Sequence, residues 1–524
     1  MDETRLNFSF VLVVKSAPHP THRESLDASS ALRGAPRAVG DMSSKRSPAR
    51  IAIVGGGVSG LSLAKFLRDV DDKRDTFQVS VFDTGERACG GRSSSKALEG
   101  VDVDHGLQYF TLASDVARES FARPLVECGA LAEWSAAAVG ALREGEFRAF
   151  DDDVARYVGV GGFRAMSEAL ESNADDVRRP QWVGAMSPSR FDDDGRATAW
   201  TLATNASDRA KRLGEYDFVV IAHNGKCAHR LASTAKGLDG RGACDKVTNA
   251  LRCGFGVKPR ADMERENKLL LSSVWSVMVA FDGALEFGFE GAHVIDGEPL
   301  SWVSNISAKR GGDFADGSTR VVLQSTAEYA RDNKVPQEAV PKEKSAEVVD
   351  TLVAALERAL ARPAGSLRGK VTSYKTQLWG AANPLNCANV SCVLDLDSSV
   401  AAIGDWCTDG PACVEAAVLS AYALARARDE RYGNRPLSES TIELNDARAR
   451  WSLPKGANSA QGGFPGTTGV PGMREASRAP AKGRGGGRGR GRGRGGRRSG
   501  GRGRGGGRRS DGRAPSPASA TARV

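Results

Sequence analysis

Two stretches more than three hundred residues apart share one pattern: a short apolar run, a turn, then apolar positions at helical spacing. Arg50 to Val54 (RIAIV) is β-branched and apolar, and it stops at a glycine, as a buried parallel strand does. The helical period that follows predicts a helix from Val58 to about Arg68. Gln78 to Phe82 (QVSVF) alternates and predicts a second strand ending at Asp83. Ile403 to Ala425 reads strand, acidic turn, helix. Between these ends, Ser272 to Phe281 and Thr319 to Ser325 predict strands. Ala346 to Ala361 predicts an amphipathic helix with Val348, Leu352, Ala355, Leu356 and Leu360 on one face. Residues 113–156 read as helical, and 226–394 as mixed strands and helices.

The first turn carries chemistry. Gly55, Gly57 and Gly60 give the spacing G-x-G-x-x-G between a strand and a helix. The first glycine permits the tight turn, the second lets the backbone approach a pyrophosphate, and the third allows close helix–strand packing. The helix start offers free N–H groups and a positive dipole end to phosphate. Asp83, closing the next strand, is placed to accept hydrogen bonds from ribose hydroxyls. Strand, turn, helix, strand and acid together predict a dinucleotide-binding unit. A second glycine pair follows at Gly90-Gly91, with Arg92 beside it. It resembles the second glycine pair, G-G-R, of flavin amine oxidase-type proteins, which implies a further backbone approach to the pyrophosphate; a solvated loop is the alternative. At the far end, Asp405 is either a carboxylate for a sugar-alcohol chain or an ordinary helix cap.

The ordered segments resemble renalase-like flavoproteins, a branch of the flavin amine oxidase superfamily. VDVDHGLQYFT (101–111) is similar to their D-H-G-x-Q-Y-F-T, and GDWC with Glu415 to their G-D-W-C…E-G-A. RYVGVGGFRAMSEAL (156–170), YDFVVIA (216–222) and LSWVSNISAKRG (300–311) resemble further family stretches, so the likeness runs from about 50 to 430. The departures are Gly161, Phe163, the turn His223-Asn224-Gly225-Lys226, Lys309-Arg310 without a following Pro-Gly, and Ala416-Ala417. They put the substrate half further from the family than the cofactor half.

The resemblance implies an α/β fold. A discontinuous, Rossmann-like FAD-binding domain would comprise 50–112, 157–225 and 395–430. An inserted α+β substrate domain would comprise 113–156 and 226–394. The cofactor contacts implied are Gly55, Gly57, Gly60, Asp83, Gly91, Arg92, Asp104, Gly404, Asp405 and Glu415. Asp104 would take backbone N–H bonds beside the ring, and Asp405 would hold the ribityl chain. Glu415 has a salt bridge or a solvated helix face as its plainer alternative. His105 and Gln108 are the candidate catalytic residues, His105 as general base, orienting donor or structural histidine. Trp302, Trp379 and Trp406 are pocket walls or core, and Lys309 a phosphate contact, a structural pair or a solvated lysine. Cys407 lies beside the cofactor motif, but the family is expected to bind flavin noncovalently. The reaction implied is hydride transfer to flavin N5 from a small-molecule substrate. A reduced nicotinamide dinucleotide, NAD(P)H-type, is the donor expected, with O2 reoxidising the flavin; an amine donor is the alternative.

Composition adds a separate feature. The 31 residues 483–513 hold 16 Gly and 12 Arg with one Asp, while the whole 524-residue chain is +9, so the remainder is −2. Such a stretch buries no core and is expected to be disordered, like residues 1–49 and the rest of 431–524. It resembles RGG boxes and predicts polyanion or nonspecific RNA binding, without an interleaved aromatic to favour sequence selectivity. A flavin-fold scaffold acting through this tail is therefore a second reading of the chain. Nine scattered cysteines with no C-x-x-C suggest an intracellular, reducing compartment, cytoplasmic or organellar. The Arg/Ser/Ala-rich start reads as a transit segment or as sequence preceding a true start at Met42. No stretch reaches membrane-span length, and six histidines leave little for a metal cluster.

Overall fold

The computed structural model describes residues 47–71, 76–258, 267–312, 314, 316–427 and 451–454. The Gly/Arg stretch and nearly all of the expected N-terminal segment lie outside the described residues.

A six-stranded sheet organises the dinucleotide half. Its strands are β1 (Ala49–Val54), β2 (Phe77–Phe82), β3 (Asp176–Arg178), β4 (Phe218–Ile221), β5 (Val393–Asp395) and β6 (Val400–Ala402). The spatial order is β3-β2-β1-β4-β6-β5, parallel throughout except the β5–β6 pair. Alternation assigns the faces. Ile51, Ile53, Val79, Val81 and Val220 point to one side, against helix α1 (Val58–Val70). Ala52, Val54, Val219 and Ile221 point to the other, against an antiparallel sheet of 185–191, 197–203 and 212–216. Both faces are covered, which is why these strands read as continuous apolar runs. The same first face takes the last long helix, here α4 (Val414–Arg426), and Phe66 of α1 meets Tyr422 of α4 edge-on at 5.3 Å. Chain ends three hundred residues apart thus pack as neighbours.

The second half is built on an eight-stranded sheet. Its centre is the strand Leu269–Phe281, buried along all 13 residues and paired with both Thr319–Ser325 and Val371–Pro384. Helix α3 (Lys342–Ala359) lays Val348, Leu352, Ala355 and Leu356 on this sheet, so the predicted apolar face is the buried one. Helix α2 (Gly225–Ser233) follows β4.

Three expectations are corrected. Residues 113–156 are helical only in short pieces, up to Glu127 and again at Ala136–Ala138; Leu131–Trp134, Val139–Arg143 and Glu146–Ala149 are strands. Partner strands decide this: Val139–Arg143 adds in parallel to Gly291–Val294, against the local helix preference of an alanine-rich stretch. The strand before Asp405 is β6, which ends at Ala402, so Ile403 already belongs to the turn. Within the expected C-terminal tail, residues 451–454 belong to the folded body. Trp451 is buried and stacks on Trp406 with centroids 6.0 Å apart. Ser452 and Cys387 exchange two backbone hydrogen bonds of 3.0 Å. A tryptophan that size buries enough apolar surface to hold its segment down.

Candidate dinucleotide-binding site

A cavity of about 300 Å³ opens at the carboxyl ends of β1, β2 and β4, the position where open α/β sheets take their ligands. Val54, Phe82 and Ala222 mark those strand ends in its wall. The N-termini of both α1 and α4 face it, through Val58 and Ser59 on one and Cys413 and Val414 on the other. No side chain caps α1, so its first N–H groups are available to a ligand.

The three turn glycines divide by cause. At Gly55 the backbone is left-handed, with φ +115°, and a Cβ would meet the Ala222 carbonyl at 2.9 Å. At Gly60 a Cβ would sit 2.0 Å from the Gly55 carbonyl oxygen, so close packing of α1 on β1 requires glycine. At Gly57 a Cβ would meet nothing nearer than the Gly90 carbonyl at 3.9 Å. The protein itself leaves that space free, and it belongs to the cavity. Gly91 also lines it and needs its φ of +53°.

Asp83 lies in the wall with both carboxylate oxygens engaged, accepting from Gly56 N at 2.8 Å and Gly85 N at 2.7 Å. Burial pushes its pKa up, against those two backbone donors and with the repulsion of Glu171. Arg92 and Asp405 form a forked pair in the wall: Nη1 and Nη2 donate to the two carboxylate oxygens at 2.7 and 2.8 Å. Arg92 Nη1 also donates to the Ala382 carbonyl. Burial works against the guanidinium charge, and the Asp405 carboxylate more than restores it, leaving the Arg92 pKa raised. Gly404 abuts the Trp406 ring, where a Cβ would come within 2.5 Å of Nε1.

Of the expected residues, Gly60 and Gly404 do not line the cavity, and four side chains sit elsewhere. Asp104 is buried, with Oδ1 accepting from Ser95 Oγ at 2.6 Å and Phe163 N at 2.8 Å. Glu415 is buried too, and its Oε1 accepts from Ala113 N and Ser114 N at 3.1 and 2.5 Å, tying down the turn before Asp115. Gln108 is turned inward, donating to the Asp104 and Gly106 carbonyls. His105 stacks on Trp379 at 5.1 Å, and the Trp379 indole donates to the His105 carbonyl. None of the four lines the cavity, whereas Leu107 and Trp379 do. Burial, aided by the Lys96 charge, pulls the His105 pKa down to about 3.

The remaining candidates resolve similarly. Trp302 and Trp406 are core, and only Trp379 is a cavity wall. Lys309 is not solvated: its ammonium donates to the Gln108 carbonyl at 2.9 Å, lies 4.7 Å from the Trp134 ring centroid, and burial draws its pKa down to about 8. Cys407 is buried away from the cavity; the cysteine in the wall is Cys413, whose Sγ accepts from Ala416 N and caps α4. Burial raises its thiol pKa to about 12. Sequence reading missed Cys413, Gln181 and Asn224 as wall residues. The buried Asn224 amide nitrogen has no partner among the described residues, so it offers a donor at the cavity. His223 lies there too, its Nδ1 3.0 Å from the Val54 carbonyl.

Residues 53–123 match the family described as NAD(P)-binding Rossmann-like domain. The chain carries a Rossmann-like dinucleotide-binding domain. Solved structures similar to it include a triple mutant of putrescine oxidase, at 14% identity over 72% of this chain and 98% of that one, with a TM-score of 0.46. Wild-type putrescine oxidase bound to putrescine aligns at 13% identity over the same shares, with a TM-score of 0.45. Among the described residues no cluster of His, Cys, Asp and Glu has metal-binding spacing, and no helix is long and apolar enough to cross a membrane.

Proposed function

We propose that the chain is an FAD-dependent oxidoreductase. The observation that carries this is the convergence of two helix N-termini, α1 and α4, on one cavity. One positive end suits a pyrophosphate. A second positive end suits a cofactor whose far end gains negative charge on reduction, which a flavin does and a nicotinamide does not. The residues present fit FAD: the free space at Gly57, the uncapped start of α1, Asp83 for ribose, Arg92 and Asp405 between the two ends, and the unpartnered Asn224 donor. Bound there, FAD would supply two-electron redox chemistry at the isoalloxazine. Trp379 and Leu107 would give the bound cofactor an apolar wall.

The donor proposed is a reduced nicotinamide dinucleotide, which gives up a hydride, with O2 and a proton taking it on as hydrogen peroxide. Support comes from the ordered renalase-like segments, above all D-H-G-x-Q-Y-F-T at 104–111 and GDWC at 404–407. The test is the absorbance of the purified, FAD-loaded chain under anaerobic titration. Bleaching near 450 nm by reduced nicotinamide dinucleotides is the expected result. Bleaching by amines alone would replace the donor and keep the cofactor. A chain that retains no flavin after refolding with FAD would overturn both.

His105 supplies no base on this reading. Its imidazole is neutral throughout the range where flavin reduction would be followed, since its pKa sits near 3. His105→Phe keeps a ring on Trp379, and the pH profile of the reduction rate is expected to be unchanged. The same variant should lose part of the wild type's acid sensitivity. Below about pH 6.5 the unfolded chain takes a proton on this histidine and the folded chain does not, so stability falls with pH. Urea titrations at pH 7 and pH 5 read that difference.

A further inference from the structure

The forked pair in the cavity wall is supported from two pieces of backbone. Asp405 sits in the turn 404–407. Arg92 donates to Asp405 and also to the carbonyl of Ala382, near the end of the strand Val371–Pro384. The stretch 385–390 continues that strand and ties it to the turn. Ala388 N donates to the Trp406 carbonyl and Val390 N to the Cys407 carbonyl, each at 2.8 Å.

Residues 451–453 bind both pieces. Ser452 exchanges its two backbone hydrogen bonds with Cys387, inside the tying stretch. Leu453 packs on Leu385 of the same stretch and on Leu270. Trp451, only 4% exposed, lays its ring on Trp406 at an interplanar angle of 23°. The Trp406 ring also crowds Gly404, the residue before Asp405, where no Cβ would fit. One indole thus contacts the cavity turn and Trp451 together.

A buried, stacked tryptophan is usually core and nothing more. Trp451 differs in what it stacks on, because Trp406 is the next residue after a cavity-wall carboxylate. Its neighbours differ too, since they grip the stretch that fixes the turn and follows the Ala382 carbonyl. A forked ion pair needs both carboxylate oxygens in register with the guanidinium. Such a group stays within about 0.5 Å of its working position only when the residues behind it are locked by packing. These backing residues lie beyond about 430, where the likeness to renalase-like proteins ends.

We propose, on the reading that the cavity holds FAD, that Trp451 is a positioning residue for the cofactor. Residues 451–453 brace the turn 404–407 through Trp406 and hold Asp405 where it meets the ribityl hydroxyls. The cofactor site is then completed by a segment that follows the last long helix of its sheet.

The test is a pair of titrations on the full chain and its variants. FAD and ADP are each titrated into apoprotein by calorimetry. ADP carries the pyrophosphate but no ribityl chain. Trp451→Ala should weaken FAD about tenfold and ADP by less than about twofold. Trp451→Phe keeps a ring on Trp406 and should bind FAD within about twofold of wild type. In an Asp405→Ala background, Trp451→Ala should bring no further loss of FAD affinity. A merely structural tryptophan would cost the same with or without that carboxylate. Should Trp451→Ala prove insoluble, Leu453→Ala, at a half-buried position, carries the test. It should weaken FAD about threefold in the wild-type background and not at all without Asp405. Unchanged FAD affinity, equal losses for FAD and ADP, or losses that persist in full without Asp405 would each overturn the role of Trp451 and leave the FAD reading standing. A wild-type chain that binds ADP but no FAD would overturn both.

Discussion

Gly57→Ala is expected to abolish dinucleotide binding and leave the fold intact, while Gly60→Ala should damage the fold itself. The two glycines stand three residues apart in one turn, and their surroundings separate their roles. A Cβ at position 57 meets no protein atom nearer than 3.9 Å and projects into the cavity. The backbone there is extended, with φ −75° and ψ −176°, so alanine is unstrained. Urea midpoints should therefore move by no more than about 0.5 kcal/mol. FAD affinity should fall at least about a hundredfold, because the methyl group occupies the place where the backbone approaches the pyrophosphate. At position 60 a Cβ lies 2.0 Å from a backbone oxygen, and neither β1 nor α1 can yield without disturbing the core they share. That substitution should cost about 3 kcal/mol or more and appear as lost soluble protein. Flavin retention after desalting, read beside a denaturation curve, checks both. Intact affinity in Gly57→Ala would remove the phosphate-cradle reading of this turn.

Asp405→Ala is expected to lower stability by about 2–3 kcal/mol, the smaller end of what breaking a buried ion pair from one side costs. It would strand the Arg92 guanidinium, which keeps one bond to the Ala382 carbonyl and some contact with solvent. Adding Arg92→Met should recover most of that loss, because no uncompensated charge remains. Cofactor affinity should not recover, since both side chains are cavity wall. A double-mutant cycle on urea stability measures the pair, and a flavin titration of the same four proteins measures the site. Additive stability effects would mean that the two charges do not depend on each other.

The glycine turn was legible in sequence because each of its parts obeys a local rule. Helix α1, β2 and Asp83 follow from periodicity and spacing alone, and α3 from its apolar stripe. The strands within 131–149 were not legible. Alanine-rich sequence prefers helix, and pairing with residues distant in the chain overrides that preference. The segment 104–108 shows a different limit. Its motif was visible, but the direction of each side chain was not: Leu107 faces the cavity while Asp104 and Gln108 turn inward to satisfy buried backbone groups. Glu415 likewise turns away from the cavity to two backbone N–H groups three hundred residues earlier, a partnership no local pattern encodes. Trp451 stands in a polar, irregular stretch with no periodicity to mark it.

The order β3-β2-β1-β4-β6-β5 has a consequence for the ribosome. When Ile221 emerges, β1 to β4 can assemble, but the outer side of β4 has no neighbour until Val400 follows about 180 residues later. At ordinary elongation rates of about 5–20 residues per second, that leaves an apolar strand edge open for roughly 10–40 s. Every nascent copy must pass through this interval with its most adhesive surface unpaired. Yield in a cell therefore depends on what shields that edge during translation as well as on the stability of the finished molecule.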